Sequence, residues 1–147
     1  MFSRIVVGTD GSETAKEAVR QAGDLAKRLD ASLVIVSAFE PVSESRLRTE
    51  RQEAPTDVAH TVGPTEDVEA TLAEAASEAE QNGVQVKTFP RQGDPADAIL
   101  DVAEEQKADL IVVGNKGMTG AKRFLLGSVP NKVSHHAPCS VLIVRTT

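Results

Sequence analysis

The stretch Leu110-Ile111-Val112-Val113-Gly114-Asn115-Lys116-Gly117 decides how this chain folds. Its four consecutive apolar residues are typical of a parallel β-strand that is covered on both faces. The strand ends at a glycine, and a second glycine follows three residues later. Glycines in this place let bare backbone N–H groups come close to a ligand phosphate. The stretch therefore predicts an α/β protein with an anion-binding turn after this strand.

A second glycine turn, Gly127-Ser128, opens a segment over residues 128–136 that is predicted to be a helix. The N-terminus of a helix carries unsatisfied N–H groups and a partial positive charge, so it attracts anions. Two such turns close together in sequence indicate a nucleotide or another phosphorylated ligand. The glycine spacing is neither that of a Walker A loop nor that of the dinucleotide-binding fingerprint.

Strand-like and helix-like segments alternate along the whole chain, which predicts a mostly parallel sheet with helices on both faces. Apolar runs predict strands at residues 5–7, 33–38, 84–89, 110–113 and 141–144. Ser12, Thr65 and Asp94 are the predicted N-caps of the first three helices. The first helix has its apolar stripe at Ala15, Ala18, Val19, Ala22, Ala26 and Leu29. Residues 41–64 lack periodicity and are predicted to be a mobile connection within a single domain spanning residues 1–147.

Composition excludes several classes of function. A net charge of −6, four Phe and no Trp or Tyr argue against a nucleic-acid surface. The single cysteine, Cys139, excludes an internal disulfide framework and fits a reducing cytosol. No apolar run approaches the roughly 20 residues that span a bilayer, and the first residues lead directly into a strand-like run. We therefore expect a cytoplasmic protein with no membrane partner.

Asp10 follows the first predicted strand, in the turn Gly8-Thr9-Asp10-Gly11-Ser12. Ligands of doubly wound sheets lie outside the carboxyl ends of the strands, where an acid can accept hydrogen bonds from a ribose or an adenine amine. Alternatively, Asp10 is only a turn and helix-cap residue, since Asp and Gly dominate turns. Both interpretations fit the residues.

We expect no metal site and no catalytic residue. His135 and His136 are adjacent on a predicted helix and point about 100° apart, so they do not converge on one ion. Ser12 and Ser128 lack a nearby acid-and-histidine pattern. Any nucleotide hydrolysis would be slow and incidental.

With these residues in view, the chain resembles a universal stress protein of the UspA type over nearly its full length. The resemblance is carried by Gly8-Thr9-Asp10-Gly11-Ser12, by Gly114-x2-Gly117-x9-Gly127-Ser128, and by Pro138-x2-Val141-Leu142-Ile143-Val144. It implies a three-layer, Rossmann-like fold of the adenine nucleotide alpha hydrolase-like kind, with a five-stranded parallel sheet of order 3-2-1-4-5. It also implies a homodimer that binds ATP or a related adenine nucleotide.

The resemblance also implies a role for each matching residue. Asp10, in the turn of Gly8 and Thr9, would meet the adenine or ribose, and Ala38 would face the base. Gly114 and Gly117 would line the ribose and phosphate turn, with Lys116 between them. Gly127, Ser128 and Val129 would offer backbone amides and a hydroxyl to the phosphates.

Pro130 departs from the family pattern, in which many relatives carry Ser or Thr. Proline has no N–H and no hydroxyl, so the phosphate end of the site loses up to two donors. A shorter phosphate group, as in AMP or cyclic AMP, then becomes more plausible than ATP, and Mg²⁺ is expected only together with ATP.

The leading hypothesis is an adenine-nucleotide-binding stress-response sensor or regulator that forms a homodimer through residues 141–144. One alternative is a dimeric interaction module with a non-functional nucleotide site. The other is a slow nucleotide hydrolase that uses the same cleft.

Overall fold

The structure, a computed structural model, describes residues 2–39, 64–115 and 128–146. Within these ranges strands and helices alternate, as expected for an α/β protein. The strands are β1 (Arg4–Gly8), β2 (Ser32–Phe39), β3 (Val86–Gln92), β4 (Leu110–Gly114) and β5 (Ser140–Val144). The helices are α1 (Glu13–Leu29), α2 (Pro64–Gln81), α3 (Pro95–Glu105) and α4 (Ser128–His136).

The strands form one five-stranded sheet of order β3-β2-β1-β4-β5, and every pairing is parallel. This confirms the predicted fold class and strand order. Central strand β1 pairs with β2 on one side and with β4 on the other. The order of the strands along the chain reverses between β1 and β4, and this is where doubly wound sheets bind ligands.

Two helices cover each face of the sheet, because side chains of successive strand residues point to opposite faces. Ile5 and Val7 of β1 pack with α1 and α2, whereas Val6 packs with α3 and α4. The side chains of all three residues are fully buried. The sheet is thus the middle layer of three, and its apolar strands form a core on both faces.

Two of the predicted caps are present. The Ser12 hydroxyl accepts a hydrogen bond from the Ala15 N–H at 3.3 Å, and the Asp94 carboxylate accepts one from the Asp97 N–H at 3.1 Å. The prediction of Thr65 as the cap of α2 is wrong, because the helix already begins at Pro64. Proline suits the first helical position, since its φ is preset and its missing N–H needs no partner there.

Two further details differ from the sequence analysis. Leu29 is 40% exposed, because it is the last residue of α1 and Asp30 ends the helix in a left-handed conformation with φ of 55°. The third strand runs from Val86 to Gln92 instead of over residues 84–89, and it includes Pro90. A proline is tolerated there because β3 lies at the edge of the sheet.

The predicted mobile connection at residues 41–64 lies outside the described residues, except for Pro64, which begins α2. Within the described part of the chain, no helix is long and apolar enough to cross a membrane.

Candidate functional site

A shallow cleft opens at the carboxyl ends of β1 and β4, where the strand order reverses. Its wall is mostly apolar and comes from two strands and three helices. The lining residues are Gly8, Ser12, Thr14, Ala15, Ala18, Ile99, Val113, Gly114, Val129 and Pro130. The topology therefore brings together segments that are more than 100 residues apart in sequence.

Two helix N-termini border this cleft. Ser12 caps α1 and lines the cleft, and Val129 and Pro130 line it from the first turn of α4. The first N–H groups of a helix have no partner within the helix, and together they carry about half a positive charge. With one such terminus on each side, the cleft suits an anionic group.

The turn between β1 and α1 is held by its own hydrogen bonds. The buried Thr9 donates its N–H to the Val36 carbonyl at 2.9 Å, and its hydroxyl accepts the Gly11 N–H at 3.1 Å. Gly11 has φ of 83°, and a Cβ there would lie 3.2 Å from the Thr71 hydroxyl oxygen. The left-handed conformation favours glycine at this position, and a side chain there would also crowd Thr71.

Asp10 is exposed in this turn, and its Oδ1 accepts the Ser12 N–H at 2.9 Å. This contact is the turn-stabilising role that the sequence left open for Asp10. A role of Asp10 toward a ligand remains a prediction.

The other predicted site residues fall into three groups. Gly8, Gly114 and Val129 line the cleft. Ser128 is exposed as the first residue of α4, and Ala38, near the end of β2, is half-buried on the sheet face that α3 and α4 cover. Lys116, Gly117 and Gly127 lie outside the described residues.

The sequence analysis did not single out Thr14, Ala15, Ala18 and Ile99 as lining residues of the cleft. They contact it because α1 and α3 pack beside the ends of β1 and β4. For Thr14 and Ala15, their place in the first turn after the Ser12 cap was an available signal. Ile99 carries no such signal, since a core isoleucine and a cleft isoleucine look alike in sequence.

An ion-pair cluster ties α4 to α3. Lys132 Nζ lies 2.8 Å from Asp97 Oδ1 and 3.4 Å from Asp94 Oδ2. The Asp97 backbone N–H holds the pKa of Asp94 below its usual value, burial acts against this shift, and Lys132 adds to it. The hydrogen bond to Asp97 raises the pKa of Lys132. Lys132 thus links α4 to the N-terminal turn of α3 through exposed ion pairs.

The histidines and the cysteine lie apart from the cleft lining. His135 and His136 are exposed, with ring centroids 6.5 Å apart. Cys139 is half-buried, and burial, followed by the charge of Asp109, raises the pKa of its thiol. Across residues 2–39, 64–115 and 128–146, no three His, Cys, Asp or Glu side chains are grouped so that they could hold a metal ion.

Known proteins resemble this chain over its full length. A family model described as the universal stress protein family matches residues 1–145. Universal stress protein Rv1636 of Mycobacterium tuberculosis is 40% identical over 147 residues, which cover 99% of this chain and 98% of that protein. Universal stress protein YxiE of Bacillus subtilis is 36% identical over 148 residues, covering 99% of this chain and all of the relative.

Solved structures show the same similarity. A universal stress protein crystallised in complex with cAMP is 36% identical to this chain, with a TM-score of 0.74 and 99% of both chains covered. The crystal structure of Rv1636 is 37% identical, with a TM-score of 0.58, and the match covers 99% of this chain and 97% of that one.

Proposed function

Since this chain belongs to the universal stress protein family, we propose that it binds an adenine nucleotide in the cleft between β1 and β4. The observation that carries the proposal is the cleft itself, which lies at the reversal of strand order between the N-termini of two helices. The crystallised relative in complex with cAMP supports the same ligand class.

In this proposal the base and ribose lie over the ends of β1 and β2. Asp10 accepts a hydrogen bond from the ribose or from the adenine amine, and Ala38 contacts the base. Gly8 and Gly114 allow a close approach of the ligand because they have no side chains. Gly117 and Lys116 complete the turn beside the ribose and phosphate.

The phosphate group would lie at the N-terminus of α4, where Gly127, Ser128 and Val129 supply backbone N–H groups and a hydroxyl. Pro130 is buried in the same turn and lines the cleft. Because proline supplies no N–H donor, we propose that one phosphate, as in AMP or cyclic AMP, is held better than the triphosphate of ATP. Mg²⁺ would accompany ATP only.

We further propose that the protein acts as a stress-response sensor or regulator that forms a homodimer through β5. Leu142 and Ile143 support this interface, since they are 41% and 39% exposed on an edge strand. Exposed apolar residues on an unpaired edge favour pairing with a second chain. We expect nucleotide occupancy to be the signal and turnover to be incidental.

The experiment that tests the proposal is calorimetric titration of nucleotide-stripped protein with AMP, cyclic AMP and ATP, the last with and without Mg²⁺. We expect saturable binding of one nucleotide per chain, with AMP or cyclic AMP binding more tightly than ATP. A preference for ATP would contradict the argument from Pro130. If none of the nucleotides binds, the interaction module becomes the better hypothesis.

Two variants test the location of the site. Gly127→Val would block the path of the phosphate and abolish binding without unfolding the protein, as checked by circular dichroism. Asp10→Asn removes the charge but keeps the oxygen that accepts the Ser12 N–H, so any loss of affinity reports on the ligand. Asp24→Asn, on the exposed surface of α1 beside Arg28, is the matched control and should bind as the wild type does.

The hydrolase alternative makes a different prediction. Turnover of ATP that requires Mg²⁺ and is lost in Asp10→Ala would favour an enzyme. Release of phosphate at the rate of a buffer control would contradict it.

A further inference from the structure

Asn115, the residue after β4, is hydrogen-bonded to Val144 at the end of β5 and to Thr146 just beyond it. The Asn115 N–H donates to the Val144 carbonyl at 2.8 Å, which extends the pairing of these two strands by one residue. The Asn115 Oδ1 accepts two hydrogen bonds from Thr146, one from the backbone N–H at 2.9 Å and one from the hydroxyl at 3.1 Å. Both side chains are half-buried, so these bonds are partly shielded from water.

These three bonds hold Asn115 against the end of β5 and against Thr146 just beyond it. Gly114, the residue before Asn115, is the last residue of β4, lines the cleft and pairs in register with Val144. The bonds of Asn115 therefore continue the pairing that holds the Gly114 backbone in place.

We infer that Asn115 is a positioning residue of the nucleotide cleft, and that it acts through Thr146. The inference rests on the proposed function, since it concerns the same cleft. Asn115 holds the backbone of Gly114 in the position where it contacts the ligand. The cleft is thereby linked to the tail of edge strand β5, so a change at that tail alters ligand affinity without touching the ligand.

Two other roles for Asn115 make different predictions. If Asn115 contacted the ligand itself, changes at Thr146 would leave its contribution intact. If the bonds served only stability, their loss would lower the melting temperature and leave affinity unchanged. A double-mutant cycle separates the three roles, because residues that act through each other have non-additive effects.

The experiment is calorimetric titration of AMP and cyclic AMP into the wild type, Asn115→Ala, Thr146→Val, the double variant and Thr146→Ser. We expect Asn115→Ala to weaken binding about three- to tenfold, which lies within the upper limit that the free energy of two lost internal hydrogen bonds sets on a positioning effect. Thr146→Val loses only the hydroxyl bond, so we expect about a two- to threefold loss. The double variant should bind no more weakly than Asn115→Ala, and Thr146→Ser should match the wild type.

Ser32→Ala is the control for a purely structural effect. It removes the hydrogen bond from the Ser32 hydroxyl to the Ser3 carbonyl at the opposite end of the sheet. Its affinity should equal that of the wild type even if its melting temperature falls.

Additive losses in the double variant would overturn the inference and assign Asn115 a direct contact. Unchanged affinity in Asn115→Ala would also overturn the inference, and the bonds to Thr146 would then serve stability alone. If the wild type binds neither of these nucleotides nor ATP, the proposed function fails and the inference fails with it. If the wild type binds and the variants bind equally well, only the inference fails.

Discussion

Pro130 is the residue on which the proposed preference for a short phosphate group depends. It lies in the first turn of α4, is buried, and lines the cleft. In most proteins the N–H groups of such a turn are free to bind an anion. Here one of them is absent, because proline has no N–H. The proposed preference for a short phosphate group follows from this one side chain.

Pro130→Ser should restore an N–H and a hydroxyl at the first turn of α4. We expect the affinity for ATP to rise about three- to tenfold relative to cyclic AMP, the range for one or two added hydrogen bonds. Competition titrations of both nucleotides give this ratio directly. Pro95→Ser, at the first position of α3, is the matched control and should leave the ratio unchanged. An unchanged ratio in Pro130→Ser would remove Pro130 from the explanation of specificity.

Asp94 makes stability depend on pH. Its pKa is lowered in the folded protein, chiefly by the Asp97 N–H that it caps. A lowered pKa means that its stabilisation is present above the unfolded value of about 3.9 and is lost as pH falls through the folded value. Asp94→Ala should therefore cost about 1 kcal/mol at pH 7, as for a lost N-cap. The difference in free energy of unfolding between Asp94→Ala and the wild type should shrink below about pH 4.

Urea unfolding of both proteins between pH 7 and pH 2 measures this difference. Asp94→Asn keeps a capping oxygen but cannot titrate, so its cap contribution should not vary with pH. If the difference in free energy of unfolding between the wild type and Asp94→Ala stays constant down to pH 2, Asp94 is not the source of the pH dependence.

Among the elements, β5 is one of the two edge strands of the sheet, and it carries exposed apolar side chains. It pairs with β4 on one side only. The successive side chains of Leu142 and Ile143 are both exposed, although they point to opposite faces of the sheet. At the other edge, β3 carries Pro90 and the charged Lys87 and Arg91. Proline and charge on an edge strand discourage pairing with another chain. The two edges thus differ, and β5 is the one suited to association.

Replacing Leu142 and Ile143 together by Lys should convert a dimer into a monomer, because the charges would lose water on pairing. Sedimentation velocity or light scattering gives the mass in solution. Leu29→Lys is the matched control, since Leu29 is similarly exposed at 40% but lies on α1. A wild type that is monomeric at all concentrations would contradict the proposed homodimer.

For the whole molecule, a ligand in the cleft would hold together elements from both faces of the sheet. The lining comes from α1 on one face and from α3 and α4 on the other. A ligand that binds only the folded state stabilises it in proportion to the logarithm of its concentration. Binding should therefore raise the melting temperature of the domain as a unit.

At a nucleotide concentration of about 100 times Kd, the expected stabilisation is about 2.7 kcal/mol, or about 5 to 10 °C for a domain of this size. Differential scanning fluorimetry with AMP or cyclic AMP measures the shift. Gly127→Val should show no shift at the same concentration. A shift that survives in this variant would indicate a site other than the cleft.

The sequence by itself determined the fold class, because strands and helices follow from the periodicity of apolar residues. The glycine motifs, which are local in the chain, determined the resemblance to the family, and the expected order of the strands came from that resemblance alone. Ser12 and Asp94 were correctly predicted as caps, since a cap contacts only residues two or three positions away. The local pattern was insufficient for the start of α2, which lies at Pro64 instead of after Thr65, and for the exposure of Leu29 at the end of α1.

Only the tertiary structure decided which side chains share the cleft. Ile99 and Thr14 contact it because α1 and α3 pack beside the ends of β1 and β4, which no local pattern encodes. The same holds for the link between Asn115 and Thr146, which are 31 positions apart and meet because β4 and β5 are paired in register. Periodicity shows that a residue is buried or exposed, but its contacts across the sheet arise only when distant strands come together.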